Sequence, residues 1–280
     1  MLVLSGSELN VDRGHLVALD FLPPDSTFSP KADEAWQQVA SLGGFSVIAH
    51  PYLRKKPWLW GGYSGYSGIE VMNADSLLRK DFFSSLPYLP LFFINPEFVL
   101  LKMVDDPKES LQKWDEMNEN HLVFSYFGSD AHFSYRPLLS FLRLHIQLEH
   151  PLPSDFEKAK HQVLEMLRSG RFYNAVDGAA RARGFNFWAH KGERMSLMGE
   201  SLTLDSPVSL EVKAPFPFAV ELSLVHNGER ILRAEKKRVS YEVKNPGAYR
   251  VEVYIREKTP LKRAVPWIVS NPIFIKGKGE

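Results

Sequence analysis

Hydrophobic positions follow two different periods along the chain, and the change between them falls near residue 180. Before it, short β-branched and aromatic runs alternate with stretches of helical spacing, which is typical of β/α units around a parallel sheet or barrel. Beyond about residue 184, apolar and polar residues alternate with a period of two, which predicts strands. We therefore predict an α/β domain over residues 1–178 and a small all-β sandwich of the immunoglobulin-like kind over residues 184–280.

Three strand-like runs of the first region are each followed at once by polar residues. These runs are residues 46–49, 69–72 and 123–127, and they lead into His50-Pro51, Asn73-Ala74-Asp75 and Gly128-Ser129-Asp130-Ala131-His132. Active sites of α/β barrels and open sheets lie at the carboxyl ends of their strands. The pattern predicts a site at that edge.

Helix boundaries are marked by capping residues and glycines. Asp106-Pro107-Lys108-Glu109 predicts an N-cap at Asp106 with proline at the first helical position. Ser154-Asp155-Phe156-Glu157 reads as a capping box for a helix that Gly170 ends. Residues 31–42 form the third predicted helix, which ends at Gly43.

Two hairpins are predicted in the second region. Residues 239–243 and 249–254 flank a turn at Asn245-Pro246-Gly247, and residues 221–225 and 230–232 flank Asn227-Gly228. Alternating strands joined by such turn residues are typical of antiparallel pairs.

The composition excludes several classes of function. The 280 residues carry 34 Lys and Arg against 33 Asp and Glu, so we expect no extended nucleic-acid surface. The absence of cysteine excludes disulfides, iron–sulfur clusters and a thiol nucleophile, and it leaves His, Asp and Glu as the possible metal ligands. The longest apolar stretch, residues 86–101, is broken by three prolines and Glu97, so we expect no membrane span. With no signal-peptide pattern at the N-terminus, a cytoplasmic location is the default expectation.

Three of the nine histidines fall at strand boundaries. Asp130 and His132 project from the same side of an extended segment and could bind one metal cluster, although Asp130 could instead cap a turn. His50 stands before Pro51. It could be a metal ligand as well, or it could simply cap the end of its strand. Glu8 and His15 flank a short loop at another strand end. We expect structural or surface roles for the remaining six: His121, His145, His150, His161, His190 and His226.

The combination and order of these motifs resemble the later motifs of the PHP (polymerase and histidinol phosphatase) family of metal-dependent phosphoesterases. The matching segments are Gly-Ser-Glu8, residues 15–19, residues 43–51 ending in Ala-His-Pro, residues 68–73, and Gly-Ser-Asp-Ala-His ending at His132. The resemblance covers residues 1–178, and the region after it looks like the β-sandwich appended to some family members.

The resemblance implies a distorted β/α barrel with divalent metals at the carboxyl ends of its strands. The implied ligands are Glu8 as a bridging carboxylate, His15, His50, Asp130 and His132. Carboxylates and neutral imidazoles suit Zn, Mn or Fe, and such metals activate water for hydrolysis of a phosphate ester without a side-chain nucleophile.

This chain departs from the family pattern upstream of Glu8. Family members carry a His-x-His strand and an Asp-His pair there, and this chain has neither. The resemblance therefore implies a barrel incomplete at its N-terminus, either because the true start lies upstream or because the chain is a truncated paralogue. Metal content is then expected to be lower than in a complete barrel.

Two further groups of residues have alternative interpretations. Arg54, with Lys55 and Lys56, could contact a substrate phosphate, or the three could form a solvated basic loop. The aromatic residues that follow could form a lid or a sugar-binding face, or they could pack on the rim of the barrel; they are Trp58, Trp60, Tyr63 and Tyr66.

The sequence thus predicts a metal-dependent phosphoesterase acting on a small phosphorylated substrate. The alternative is a catalytically impaired PHP-like domain whose β-sandwich binds a glycan or a protein.

Overall fold

The computed structural model describes residues 2–53, 56–61, 65–76, 89–119, 121–132, 135–148 and 150–279. Its strands are β1 (Gly6–Val11), β2 (Gly14–Leu19), β3 (Phe45–Ile48), β4 (Gly68–Asn73), β5 (Phe124–Gly128), β6 (Arg143–Ile146), β7 (Phe172–Ala175), β8 (Asn186–Lys191), β9 (Arg194–Leu197), β10 (Ser201–Thr203), β11 (Ser209–Lys213), β12 (Val220–His226), β13 (Glu229–Ala234), β14 (Arg238–Glu242), β15 (Gly247–Ile255), β16 (Ile268–Ser270) and β17 (Ile273–Lys276). Its helices are α1 (Ala32–Ser41), α2 (Leu89–Phe92), α3 (Pro96–Met103), α4 (Lys108–Asn118), α5 (Tyr135–Phe141) and α6 (Phe156–Arg168). In these ranges no helix is long and apolar enough to cross a membrane.

The first sheet has five strands in the order β1-β2-β3-β4-β5. Strands β1, β2 and β3 pair antiparallel, and β3-β4 and β4-β5 pair parallel. The sheet is open in the described part of the chain, where no ladder joins β5 back to β1. The predicted barrel is therefore corrected to an open mixed sheet with helices.

Side-chain amides end this sheet at β5. The backbone N–H of Ser125 donates to Asn271 Oδ1 (2.8 Å), and that of Phe127 donates to Asn174 Oδ1 (2.9 Å). Asn174 Nδ2 in turn donates to the carbonyl of Ser125 (3.0 Å). These buried asparagines provide hydrogen-bond partners for backbone N–H and C=O groups of β5. These groups therefore do not require pairing with a further strand at this edge of the sheet.

The second sheet joins the two predicted regions. It has eight strands, in the order β10-β17-β15-β16-β7-β6, with β12 beside β15 and β13 beside β12. Strand β7 precedes residue 178 and pairs antiparallel with β16, placing Ala175 opposite Ile268. The boundary between residues 178 and 184 stays a prediction, and the hydrogen-bonded ladder of the second sheet runs across it.

The third sheet, in the order β14-β11-β8-β9, is antiparallel, and its apolar residues share one core with those of the second sheet. Strands β14 and β15 were expected to pair as a hairpin, and that prediction is wrong. Strand β14 pairs with β11, whereas β15 pairs with β12. The turn instead carries the chain from one sheet to the other, so the rings of Tyr241 and Tyr249 meet at 6.4 Å. Alternation of apolar and polar residues shows that one face of a strand is buried. It does not show whether two successive strands pair in one sheet or face each other from two packed sheets.

The hairpin of β12 and β13 is confirmed. Its turn residues Asn227 and Gly228 have φ of 46° and 82°, the left-handed conformations that a tight two-residue turn requires.

The three predicted helices are present, with small shifts at their starts. Helix α1 lies within one residue of the predicted limits. Helix α4 begins after Pro107 instead of after Asp106. Helix α6 is capped by Asp155 and not by Ser154, because the Asp155 carboxylate accepts the N–H of Lys158 at 2.9 Å. Asp155 thus occupies the N-cap position that satisfies a free amide of the first turn.

Candidate metal centre

The polar motifs that follow the strands lie at one edge of the first sheet. Strands β3, β4 and β5 run parallel, so their carboxyl ends meet, and β2 begins at the same edge because Leu16 pairs with Ile48. The hairpin of β1 and β2 then brings Glu8 and His15 towards His50. Side chains on alternate residues of β2 face opposite sides, which leaves Leu16 in the core and His15 part-exposed.

Glu8, His15 and His50 form a tight triangle of ligand atoms, here called the edge triangle. Glu8 Oε1 lies 2.5 Å from His15 Nδ1 and 3.2 Å from His50 Nε2. The two ring nitrogens are 3.2 Å apart, and the rings meet edge to face. Three residues separated by up to 42 positions in sequence thus place three potential ligand atoms together.

Asp75, Asp130 and His132 form a second group whose ligand atoms lie within 4.8 Å of one another. His132 Nε2 is 3.0 Å from Asp130 Oδ1. Asp75 is buried at the end of β4, whereas the His132 side chain is 58% exposed. The group is therefore open to solvent on the His132 side.

Glu70 on β4 holds the backbone of His50. Its Oε2 accepts the His50 N–H at 2.7 Å and Asn73 Nδ2 at 3.0 Å. A Cβ at position 128 would overlap Glu70 Oε1, so only glycine leaves room for this carboxylate beside β5. The first residue of the Gly-Ser-Asp-Ala-His motif thus makes space for the group that positions His50.

The backbone is strained at two of the strand ends. His50 has φ of 26° and Asp130 has φ of 44°, both in the left-handed region that residues with side chains rarely adopt. Such strain occurs where the surrounding structure holds a functional side chain in a particular direction. Here it turns an imidazole and a carboxylate out of strands β3 and β5.

The pKa values of the two imidazoles of the edge triangle shift in opposite directions. A hydrogen bond from His50 lowers the pKa of Glu8 despite its partial burial. Burial lowers the pKa of His15, and the charge of Lys56 lowers it further. Burial also acts to lower the pKa of His50, but the hydrogen bond to Glu8 and the charges of nearby carboxylates raise it above the ordinary value. His15 is therefore the imidazole that more readily stays neutral.

This edge of the sheet carries more carboxylates than cationic side chains. Burial raises the pKa of Asp130, and the negative charges of Glu8 and Asp75 raise it further. Burial likewise raises the pKa of Glu70, and the charge of Asp130 adds to the effect. Asp130 thus lies close enough to the edge triangle for the charge of Glu8 to affect its pKa. The excess of carboxylates favours a bound cation.

The edge triangle fits a transition-metal ion by its donor set and its spacing. One carboxylate and two imidazoles are ordinary ligands of Zn, Mn or Fe. With bonds near 2.1 Å, ligand atoms of a tetrahedral site stand about 3.4 Å apart, and two of the three distances here are 3.2 Å. The buried Nδ1 of His50 has no hydrogen-bond partner among the residues described. The His50 ring is therefore oriented by its backbone and not by its second nitrogen.

Of the residues expected at the site, Glu8, His15 and His50 converge in one group and Asp130 and His132 in the neighbouring one. Their assignment as metal ligands stays a prediction. Arg54, expected to contact substrate, lies outside the described residues, as do Lys55 and Tyr63. Lys56 is described, and its Nζ donates to Asn10 Oδ1 on β1.

Trp58 and Tyr66 belong to the core. Both are buried, and their rings pack edge to face at 5.6 Å. Trp60 is more open, at 38% exposure, with Lys113 Nζ 4.9 Å from its ring centroid. For Trp58 and Tyr66 the structure favours packing over a lid.

Three histidines given structural roles have partners within the protein. His145 Nε2 lies 2.9 Å from Asp177 Oδ1. His190 accepts from the indole N–H of Trp188 at 2.8 Å, and His226 donates to the Pro246 carbonyl at 2.9 Å.

Sequence reasoning missed Glu70 and Asp75 as members of the site. Asp75 lay in the polar segment noted after β4, so its position at a strand end was the available signal. Glu70 lies inside β4 and has no such signal, since its role depends on the approach of β3 and β5 on either side.

Comparisons with known proteins yield a remote likeness. No family model matches the sequence, and no curated protein matches it. The chain is similar to the crystal structure of a two-domain protein containing a predicted PHP-like metal-dependent phosphoesterase from Bacteroides vulgatus. The TM-score is 0.42 at 11% sequence identity, over 97% of this chain and 75% of that chain.

Proposed function

We propose that this chain is a metal-dependent phosphoesterase that hydrolyses a small phosphorylated substrate. The observation that carries the proposal is the edge triangle, in which Glu8 Oε1, His15 Nδ1 and His50 Nε2 lie within 3.2 Å of one another. The sequence resemblance to PHP motifs at these same residues supports it. A Zn, Mn or Fe ion held there would supply a Lewis acid for the phosphoryl oxygens and an activated water.

The surrounding residues have roles that follow from their chemistry. Glu8 offers an ionised carboxylate, because its pKa is lowered, and His15 offers a neutral imidazole. Glu70 fixes the direction of His50 through the backbone. Asp130 and His132 extend the ligand set on the side facing solvent.

Lys56 is the cation placed to contact a phosphate. Its charge acts on His15, and its ammonium group contacts Asn10 on the strand that carries Glu8. An ammonium group in this position would attract a substrate phosphoryl group to the edge triangle.

The test is hydrolysis of p-nitrophenyl phosphate and bis-p-nitrophenyl phosphate by protein loaded separately with Zn, Mn or Fe. We expect turnover that requires metal, is lost in Glu8→Gln, and is retained in Glu193→Gln, an exposed control on the turn between β8 and β9. Preference for the monoester or the diester would define the substrate class. Protein that binds metal and hydrolyses neither ester would contradict the proposal and favour a binding role.

A further inference from the structure

A second polar cleft lies between helix α4 and strands β12, β13 and β15. Its volume is about 410 Å³, within the range of small-molecule sites. Six basic and four acidic side chains line it, together with Tyr254 and a few apolar residues such as Leu111 and Val225. The lining contains no residue of the edge triangle or of the Asp75 group. The cleft is therefore a separate feature with an excess of positive charge.

The floor of the cleft is an internally compensated network. Arg250 is buried and contacts both Asp115 on α4 and Glu252 on its own strand, the latter at 2.9 Å. Glu252 Oε2 accepts from the Tyr254 hydroxyl at 2.6 Å and from Arg230 at 3.0 Å. Because each charge of the floor contacts an opposite charge, these side chains are held in place and need no ligand to neutralise them.

The rim differs from the floor because its guanidinium groups are only partly satisfied. Arg233 approaches Glu221 no closer than 3.9 Å, beyond hydrogen-bond distance, and its side chain is 58% exposed. Arg263 is exposed and makes no ion pair with any residue that the structure describes. The buried Nε of Arg256 lacks a hydrogen-bond acceptor in the same part of the chain. Arg256 does pair with Glu221 at 2.5 Å, but Arg233 and Arg263 keep donors that no carboxylate among the described residues accepts.

The ring of Tyr254 helps to fix one arginine of the floor, Arg230, and one of the rim, Arg256. The guanidinium carbons of Arg230 and Arg256 lie 5.3 Å and 5.7 Å from its centroid. Stacked guanidinium groups lose little further entropy when they bind an anion in the two-pronged manner that arginine favours. Arg256 is thus held in place beside the exposed Arg233 and Arg263, and three guanidinium groups lining one cleft are suited to an oxyanion.

We infer that this cleft binds a small polyanionic molecule through Arg233, Arg256 and Arg263, with phosphate or carboxylate groups as the recognised chemistry. The compensated floor excludes a cation, because Glu221 and Glu252 are already engaged by arginine.

The test is calorimetric titration of metal-free protein, dialysed against EDTA, with inorganic phosphate, pyrophosphate and citrate. The rim variant is Arg233→Gln with Arg263→Gln. Its matched control is Arg194→Gln with Arg238→Gln, which removes two exposed arginines from the third sheet. We expect at least one probe to bind, the rim variant to weaken its Kd by about tenfold or more, and the control to leave the Kd within about twofold. Glu8→Gln should bind as the wild type does.

Each outcome decides the inference. Tighter binding of phosphate or pyrophosphate than of citrate would identify a phosphorylated ligand, and the reverse order would identify a polycarboxylate. Absence of binding for all three probes would overturn the inference. Equal weakening in the rim variant and its control, or loss of binding in Glu8→Gln, would do so as well, since the anion would then be held non-specifically or at the other edge.

Discussion

Charged side chains are packed together in two regions of this molecule, and the two regions treat charge in opposite ways. In the network of α4 and β15, arginines and carboxylates alternate, and Arg250 is enclosed by Asp115 and Glu252. At the edge of the first sheet, carboxylates outnumber cations, and burial together with the negative charge of Glu8 raises the pKa of Asp130. The charges of the Arg250 network offset one another, whereas the sheet edge keeps an excess of carboxylates that a bound cation would offset.

Backbone geometry reinforces this difference. The left-handed conformations of His50 and Asp130 occur at the sheet edge, where no regular structure demands them. Strand β15, which carries Arg250 and Glu252, pairs with β12 without a register shift. Unbalanced charge and strained backbone at His50 and Asp130 thus occur together at the sheet edge, whereas the residues of the Arg250 network have neither, although both regions are rich in the same residue types.

The largest effect should come from removing His50. His50→Ala deletes one of three close ligand atoms, so we expect metal content after extensive dialysis to fall from about one equivalent per chain to nearly none. Metal analysis of the wild type and the variant provides the measurement, with the exposed His161→Ala as control. Unchanged metal content in His50→Ala would remove His50 from the site, and three equivalents in the wild type would mean that unidentified ligands take part.

Breaking the network should affect stability and leave metal binding intact. Arg250→Ala leaves Asp115 and Glu252 without their main partner, so we expect a loss of about 3–5 kcal/mol in the free energy of unfolding. Urea denaturation measures it, and Arg194→Ala serves as an exposed control. If metal content fell in the folded Arg250→Ala protein, the two regions would not be independent.

A smaller effect is expected from the residue beneath His50. Glu70→Gln keeps the shape of the side chain and weakens its hold on the His50 N–H, so we expect metal affinity to fall by about 10- to 100-fold. Competition with a chromogenic chelator gives the affinity, and Glu193→Gln should match the wild type. An unaltered affinity would show that the strain at His50 is maintained without Glu70.

The smallest effect is the pH dependence of the network. Burial alone would raise the pKa of Glu252, but Arg250, Tyr254 and Arg230 together lower it below the ordinary value. A lowered pKa in the folded state stabilises the protein above the unfolded value of about 4.3, and this stabilisation is lost as the pH falls through the folded pKa. The stability difference between wild type and Glu252→Gln should therefore be constant near neutrality and shrink below about pH 4. Urea titrations from neutral to acidic pH would refute this if the difference grew towards low pH.

Predictions from local patterns succeeded where neighbouring residues decide the structure. Helices α1, α4 and α6 and the hairpin at Asn227 follow from caps, turn residues and periodicity, and their errors are single-residue shifts at caps. His50, Asp130 and His132 could be grouped from the sequence because they follow parallel strands, which end at a common edge. Their role as metal ligands stays a prediction. Glu70 was missed because its partners are brought by other strands.

The sequence by itself determined helices α1, α4 and α6, the hairpin of β12 and β13, and the polar residues that follow β3, β4 and β5. Only the tertiary structure decided that the first sheet stays open, that β7 joins β16, and that β14 and β15 face each other instead of pairing. The physical reason is that periodicity records which face of a segment is buried, whereas strand partners are chosen by contacts between distant residues. Asn174 and Asn271, far apart in sequence, close the edge of β5, and no pattern near Ser125 indicates that they would.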